Sequence, residues 1–185
     1  MGKAKIVYTV GPDTDKTGAI EQLIMGGMDV ARCSFSYGGL EECSKRMHTV
    51  RSFHTKWNLP IAILMDIKEM EGRMELQKED ILFGIQQKVD FVSTPFLYSG
   101  QDVLDIRRLL NENGGSNITL IAKIENGKGI ENLDSILKAA DGIMIGKEVV
   151  PMLQKMIMKK VYESGKMLIT ETQMLDFHVD SVKNV

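Results

Sequence analysis

The chain has 185 residues, is 43% hydrophobic and 26% charged, and carries a net charge of -2. Such proportions fit one globular domain with a sizeable core, and a pI near 6.0 offers no basic surplus for nucleic acid or an anionic membrane. Only Cys33 and Cys43 are available as thiols, the opening residues do not read as a signal peptide, and no apolar run reaches the ~18 residues of a membrane span. A cytoplasmic protein with reduced cysteines is expected.

Short apolar runs alternate with amphipathic stretches along the whole chain. The expected strands are Ile6–Val10, Asp29–Phe35, Ile61–Ile67, Phe91–Phe96, Thr119–Glu125, Gly142–Gly146 and Met167–Thr172. Most are nearly continuous rather than alternating in hydrophobicity, the pattern of parallel strands covered on both faces. The expected helices are Asp15–Met25, Gly39–Trp57, Lys78–Gln87, Gln101–Asn111, Ile130–Ala139 and Val149–Glu163. Leu40, Cys43, Met47, Val50, Phe53 and Trp57 recur at steps of three and four residues in the second of these. Gly26-Gly27, Asn113-Gly114-Gly115 and Ser164-Gly165 mark helix ends.

This alternation predicts a parallel α/β fold, either a doubly wound sheet or a (β/α) barrel. Val10-Gly11-Pro12-Asp13 follows the first strand where a dinucleotide-binding sheet would need G-x-G-x-x-G. Polar residues gather at the carboxyl ends of many strands: Arg32 and Ser34, Asp66 and Lys68, Lys123 and Glu125, Thr170 and Thr172. Chemistry drawn from several strand ends is the barrel arrangement, which is therefore favoured.

Three clusters could carry that chemistry. Lys123 and Glu125 are two apart in a strand and share a face, so the lysine could be a Schiff-base amine, a proton donor or a phosphate clamp, and the carboxylate a metal ligand. An internal ion pair is the plainer alternative. Arg32, Ser34 and Ser36 share one parity and suit phosphate, carboxylate or a monovalent cation, or simply cap a loop. Asp66, Lys68, Glu69, Glu71 and Arg73 read alone as a solvated turn. His48, His54 and His178 have no metal-ligand spacing.

Taken together the segments resemble the pyruvate kinase family. Lys5-Ile-Val-Tyr-Thr-Val-Gly-Pro12 is similar to that family's first strand, and Gly27-Met-Asp-Val-Ala-Arg32-Cys-Ser-Phe-Ser-Tyr-Gly38 to its second. Ala62-Ile-Leu-Met-Asp66-Ile-Lys68, Gly84-Ile-Gln-Gln-Lys-Val-Asp-Phe91, Ile121-Ala-Lys-Ile-Glu-Asn126, Ala140-Asp-Gly-Ile-Met144 and Thr172-Gln-Met-Leu175 continue in the family's order.

The resemblance implies a (β/α)8 barrel that moves a phosphoryl group between phosphoenolpyruvate and ADP, giving pyruvate and ATP in glycolysis, with Mg2+ (or Mn2+) and K+. It assigns Arg32 to phosphate and nucleotide, Lys123 to the phosphoryl group in flight and to substrate, and Thr172 to substrate. Arg73 would lie near the nucleotide, Glu125 would bind Mg2+, and Ser36, Asp66 and Ser34 would hold K+.

Departures from the family pattern shape a second set of expectations. Ser34 stands where the family has Asn, Tyr37 where it has His, and Ile67 where it has Thr. Met144-Ile-Gly-Lys-Glu-Val-Val-Pro151 lacks the family's A-R-G-D-L-G loop, which supplies a second metal carboxylate. Arg73-Met74 runs directly into Glu75-Leu-Gln, with no lid domain at that point. The 185 residues are read as one incomplete barrel domain of about seven strands, against roughly 250 residues for a typical full barrel. Catalysis is therefore expected to be impaired, Mg2+ and K+ binding weakened, and the edge strands prone to self-association. Two other classes compete: a non-catalytic phosphoenolpyruvate- or carboxylate-binding module or partner subunit, and a lyase or aldolase using Lys123 as an amine.

Overall fold

The computed structural model describes residues 4–67, 74–95 and 98–171, apart from the side chains of Ser36 and residues 74–77. Seven strands form one sheet in sequence order: β1 (Val7–Val10), β2 (Val30–Ser34), β3 (Ala62–Asp66), β4 (Phe91–Thr94), β5 (Thr119–Ile124), β6 (Gly142–Ile145) and β7 (Met167–Thr170). Every neighbouring pair is parallel. Helices α1 (Ala19–Met25), α2 (Leu40–Trp57), α3 (Met74–Gln86), α4 (Gly100–Glu112), α5 (Gly127–Glu131), α6 (Leu133–Ala139) and α7 (Pro151–Glu163) fill the connections. The sheet curls into an incomplete α/β barrel, as the alternating pattern predicts.

All seven strands fall inside the expected runs, while some helices differ at their ends. Asp15 is not part of α1, because its carboxylate accepts two hydrogen bonds from Arg46 of α2, at 2.7 and 2.6 Å. Arg46 also donates to the Tyr37 carbonyl at 2.8 Å, so one buried guanidinium ties two strand-end loops to α2. The expected helix Ile130–Ala139 is two helices. Asn126 caps the amide of Gly129 and starts α5 directly after β5, and Asn132 then separates α5 from α6.

Two apolar clusters follow from the strand alternation. The larger lies between sheet and helices and includes Ala31, Cys33, Ile63, Met65, Val92, Leu120, Ala122, Ile143 and Ile145 with Met47, Leu110, Ile136 and Ile157 from the helices. The smaller comprises Leu64, Ile121 and Met144, with Val7, Val30, Phe91 and Ile169 packed against it. These residues share the opposite parity and face the inside of the curl. Two residues further along the same strands stand Arg32, Asp66, Ser93, Lys123 and Glu171. The inner apolar layer is thus a floor beneath a charged layer at the carboxyl ends.

Candidate active site

Register places the charged layer. Ser34 pairs with Asp66 across β2 and β3, and Asp66 pairs with Ser93 across β3 and β4. Arg32 donates from Nε to Asp66 Oδ2 at 2.9 Å, and its Nη2 contacts the same oxygen. Its Nη1 pairs with Glu171 Oε1 at 2.5 Å. The hydroxyl of Ser93 donates to Asp66 Oδ1 at 2.9 Å. Lys123 Nζ lies 2.6 Å from Glu125 Oε1 and 4.0 Å from Asp66 Oδ2. These side chains are largely shielded from solvent: Asp66 is 4% exposed, Lys123 and Glu125 13%, and Arg32 16%. At that depth the Coulomb attraction within each pair is strong, and losing one partner leaves a costly uncompensated charge.

Burial alone would drive Lys123 toward its neutral form. The Asp66 charge, the hydrogen bond to Glu125 and the charges of Glu125 and Glu171 outweigh that burial and hold its pKa above the usual lysine value. Arg32 behaves likewise, with Asp66 and then Glu171 overcoming desolvation. A lysine held protonated at neutral pH beside a guanidinium suits binding and stabilising an anion better than amine nucleophilic chemistry. Cys33 is no nucleophile either, since burial pushes its thiol up to about 12.

Arg32, Asp66, Lys123 and Glu125 are therefore brought together, with Ser34 beside Asp66. Arg73 and Thr172 lie outside the described residues, as does the side chain of Ser36. Three participants are absent from the expected set: Ser93, Glu171 and Glu148. Strand parity could have shown the first two, since Ser93 follows Phe91 and Glu171 follows Ile169 on the inner face. No periodicity reaches Glu148, which sits in the loop between β6 and α7.

The carboxylates of Glu125, Glu148 and Glu171 offer oxygens that lie within 4.8 Å of one another. The loop carrying Glu148 is pinned on both sides, by Gly146 N–H donating to the Ile124 carbonyl at 2.9 Å and by Glu171 N–H donating to the Ile145 carbonyl at 3.1 Å. A Cβ added at Gly146 would stand 2.6 Å from Cγ of Glu125 and 3.1 Å from Oε2 of Glu148. Only a residue without a side chain leaves this cradle open. Hard carboxylate oxygens so placed fit a divalent cation such as Mg2+ or Mn2+. For K+, Ser34 and Asp66 are adjacent, but both Asp66 oxygens already accept hydrogen bonds, one from Ser93 and the other from Arg32.

The class of protein defined by fold and site is a parallel α/β-barrel domain with a buried ionic cluster at the carboxyl ends of its strands. The family model described as pyruvate kinase, barrel domain, matches residues 1–79 and 69–183, and the chain belongs to the pyruvate kinase family. It is 28% identical to the pyruvate kinase of Clostridium acetobutylicum over 281 aligned positions, covering 95% of this chain and 59% of that protein. It is 29% identical to those of Sporosarcina psychrophila and Geobacillus stearothermophilus, covering 95% and 94% of this chain and 48% of each relative. The chain thus spans about half the length of the curated relatives it matches. An alignment of 281 positions against 185 residues also means that the relative carries long stretches with no counterpart here.

Proposed function

We propose that this domain binds phosphoenolpyruvate and ADP and transfers the phosphoryl group between them at a rate far below that of a complete kinase. The observation that carries this reading is Lys123, held protonated between Glu125 and Asp66 beside Arg32, on an apolar floor. Phosphoryl transfer asks for fixed positive charge around the equatorial oxygens and needs no covalent nucleophile.

In this reading Arg32 contacts substrate or nucleotide phosphate by exchanging part of its pairing with Asp66 and Glu171. Lys123 swings its ammonium from Glu125 toward the phosphoryl oxygens, a short move because both face the same mouth. Asp66, oriented by Ser93, keeps Arg32 in place. Thr172 and Arg73 take the substrate and nucleotide roles that the family resemblance gives them, and Ser34, Ser36 and Asp66 keep the K+ role it gives them, with Asp66 sharing its oxygens with Ser93 and Arg32. The chemistry a divalent ion supplies when bound at Glu125 is charge stabilisation on the phosphoryl oxygens.

Slow turnover is supported by what surrounds the site. Only residues 67–73 separate β3 from α3, and only residues 146–150 separate β6 from α7. Neither connection can house a closing domain that excludes water, an effect worth several kcal/mol, with about 1.4 kcal/mol for each tenfold in rate. The same short connections favour a second reading, a cytoplasmic non-catalytic module that binds phosphoenolpyruvate or a similar carboxylate. Self-association through the strand edges belongs to either reading.

Titration calorimetry of the full chain with phosphoenolpyruvate, in Mg2+ and K+, tests the shared premise. Saturable binding that Arg32→Met weakens is expected; no binding with or without metal contradicts both readings.

A further inference from the structure

We infer that Glu171 is a built-in competitor at the anion site: its carboxylate occupies the nitrogen of Arg32 that an incoming phosphate takes, and it swings away when ligand binds. The inference rests on the reading of Arg32 as a phosphate contact, and it says which of the two present partners of Arg32 yields.

Every guanidinium nitrogen of Arg32 is already engaged. Nε and Nη2 both face Asp66 Oδ2, and Nη1 faces Glu171 Oε1 at 2.5 Å. A phosphate reaches this guanidinium only by displacing a carboxylate of the chain itself, because both anions ask for the same N–H groups.

The two carboxylates are not held alike. Asp66 lies within β3 and is almost fully buried, and its other oxygen accepts a hydrogen bond from the buried Ser93 hydroxyl at 2.9 Å. Parting it from Arg32 would strand a buried charge. Glu171 follows the last residue of β7, is 15% exposed against 4% for Asp66, and has one more rotatable bond than an aspartate. Its other oxygen takes only a long 3.3 Å contact from Lys147 N–H. Oxygens of Glu125 and Glu148 lie within 4.8 Å of it, so like charge favours its departure. The Glu171 backbone stays put, since its N–H donates to the Ile145 carbonyl at 3.1 Å, and the side chain alone moves. Nη1 is then released while Asp66 keeps the guanidinium aimed. A ligand sees only the fraction of chains in which Nη1 is free, so the internal contact lowers the apparent affinity by that fraction.

The test is binding of inorganic phosphate to the full chain in a chelating buffer, followed by phosphorus-31 nuclear magnetic resonance. Without divalent ions no metal contact enters, and phosphate asks only for the cationic groups. Glu171→Gln should tighten phosphate binding on the order of tenfold, the scale of one hydrogen bond to a charged group. Asp66→Asn should weaken it, because Arg32 then loses its orientation. In an Arg32→Met background the gain from Glu171→Gln should largely vanish. Glu171→Ala repeats the measurement with no side-chain amide to replace the carboxylate, and far-ultraviolet dichroism checks that each variant is folded. Unchanged or weaker phosphate binding by both folded Glu171 variants overturns the inference. An equal gain in the Arg32→Met background also overturns it, since a general field and not a displaced contact would then be at work. If wild type binds phosphoenolpyruvate in Mg2+ and K+ and the Glu171 variants bind phosphate no tighter, the inference falls while the proposed function stands. If those variants gain phosphate affinity and phosphoenolpyruvate binds neither with nor without metal, the proposed function falls and the competitor remains.

Discussion

Lys123 concentrates the chemistry of this domain in one side chain. Its carboxylate neighbours hold its pKa above the ordinary 10.5, so the ion-pair stabilisation is fully present below that value and is lost only as pH rises through the raised one. The difference in unfolding free energy between wild type and Lys123→Met should therefore be constant from neutral pH to about 10 and shrink above it. A difference already falling near neutrality, in denaturant melts across pH, would mean that Lys123 is not held as described. Gly146 is the second decisive residue. Gly146→Ala places a Cβ 2.6 Å from Glu125 Cγ and must displace that carboxylate, so Mn2+ affinity should drop while the far-ultraviolet dichroism stays native. Lys123, Glu125, Arg32 and Asp66 were legible because strand parity and family resemblance agree on them. Glu148 was not, because a loop has no period from which its direction could be read.

At the scale of elements, the apolar runs located each strand of the described residues because buried parallel strands need hydrophobic residues on both faces. Helix ends were less legible: that of α1 depends on a partner far along the chain, Arg46 for Asp15, and that of α5 on a local cap, Asn126, that hydrophobic periodicity does not reveal. Contact between helices depends on similar detail. Gly100 opens α4 after the Ser99 cap and lies so close to α6 that an added Cβ would meet the Ser135 carbonyl oxygen at 2.5 Å. Backbone cannot yield there as a side-chain tip could. Gly100→Ala should lower stability by about 1–3 kcal/mol, seen as a lower urea midpoint with unchanged slope. An unchanged midpoint would show that α4 and α6 can separate freely.

For the molecule as a whole, the strands of the described residues form a sheet that curls without closing on itself. β1 and β7 are its two edges among the described residues, and Met167 at the start of β7 is 42% exposed. Sheet edges present backbone amides and carbonyls that invite pairing with another chain. Light scattering should show mass rising with protein concentration, and a monodisperse monomer at high concentration would contradict this. Whether the cluster at the strand ends still performs the family's reaction is decided most directly by a coupled assay with phosphoenolpyruvate, ADP, Mg2+ and K+. The expected result is slow, metal-dependent pyruvate formation that Lys123→Met abolishes. Turnover in the ordinary kinase range of ~1–100 s⁻¹, pyruvate formation that survives Lys123→Met, or none at all would contradict it.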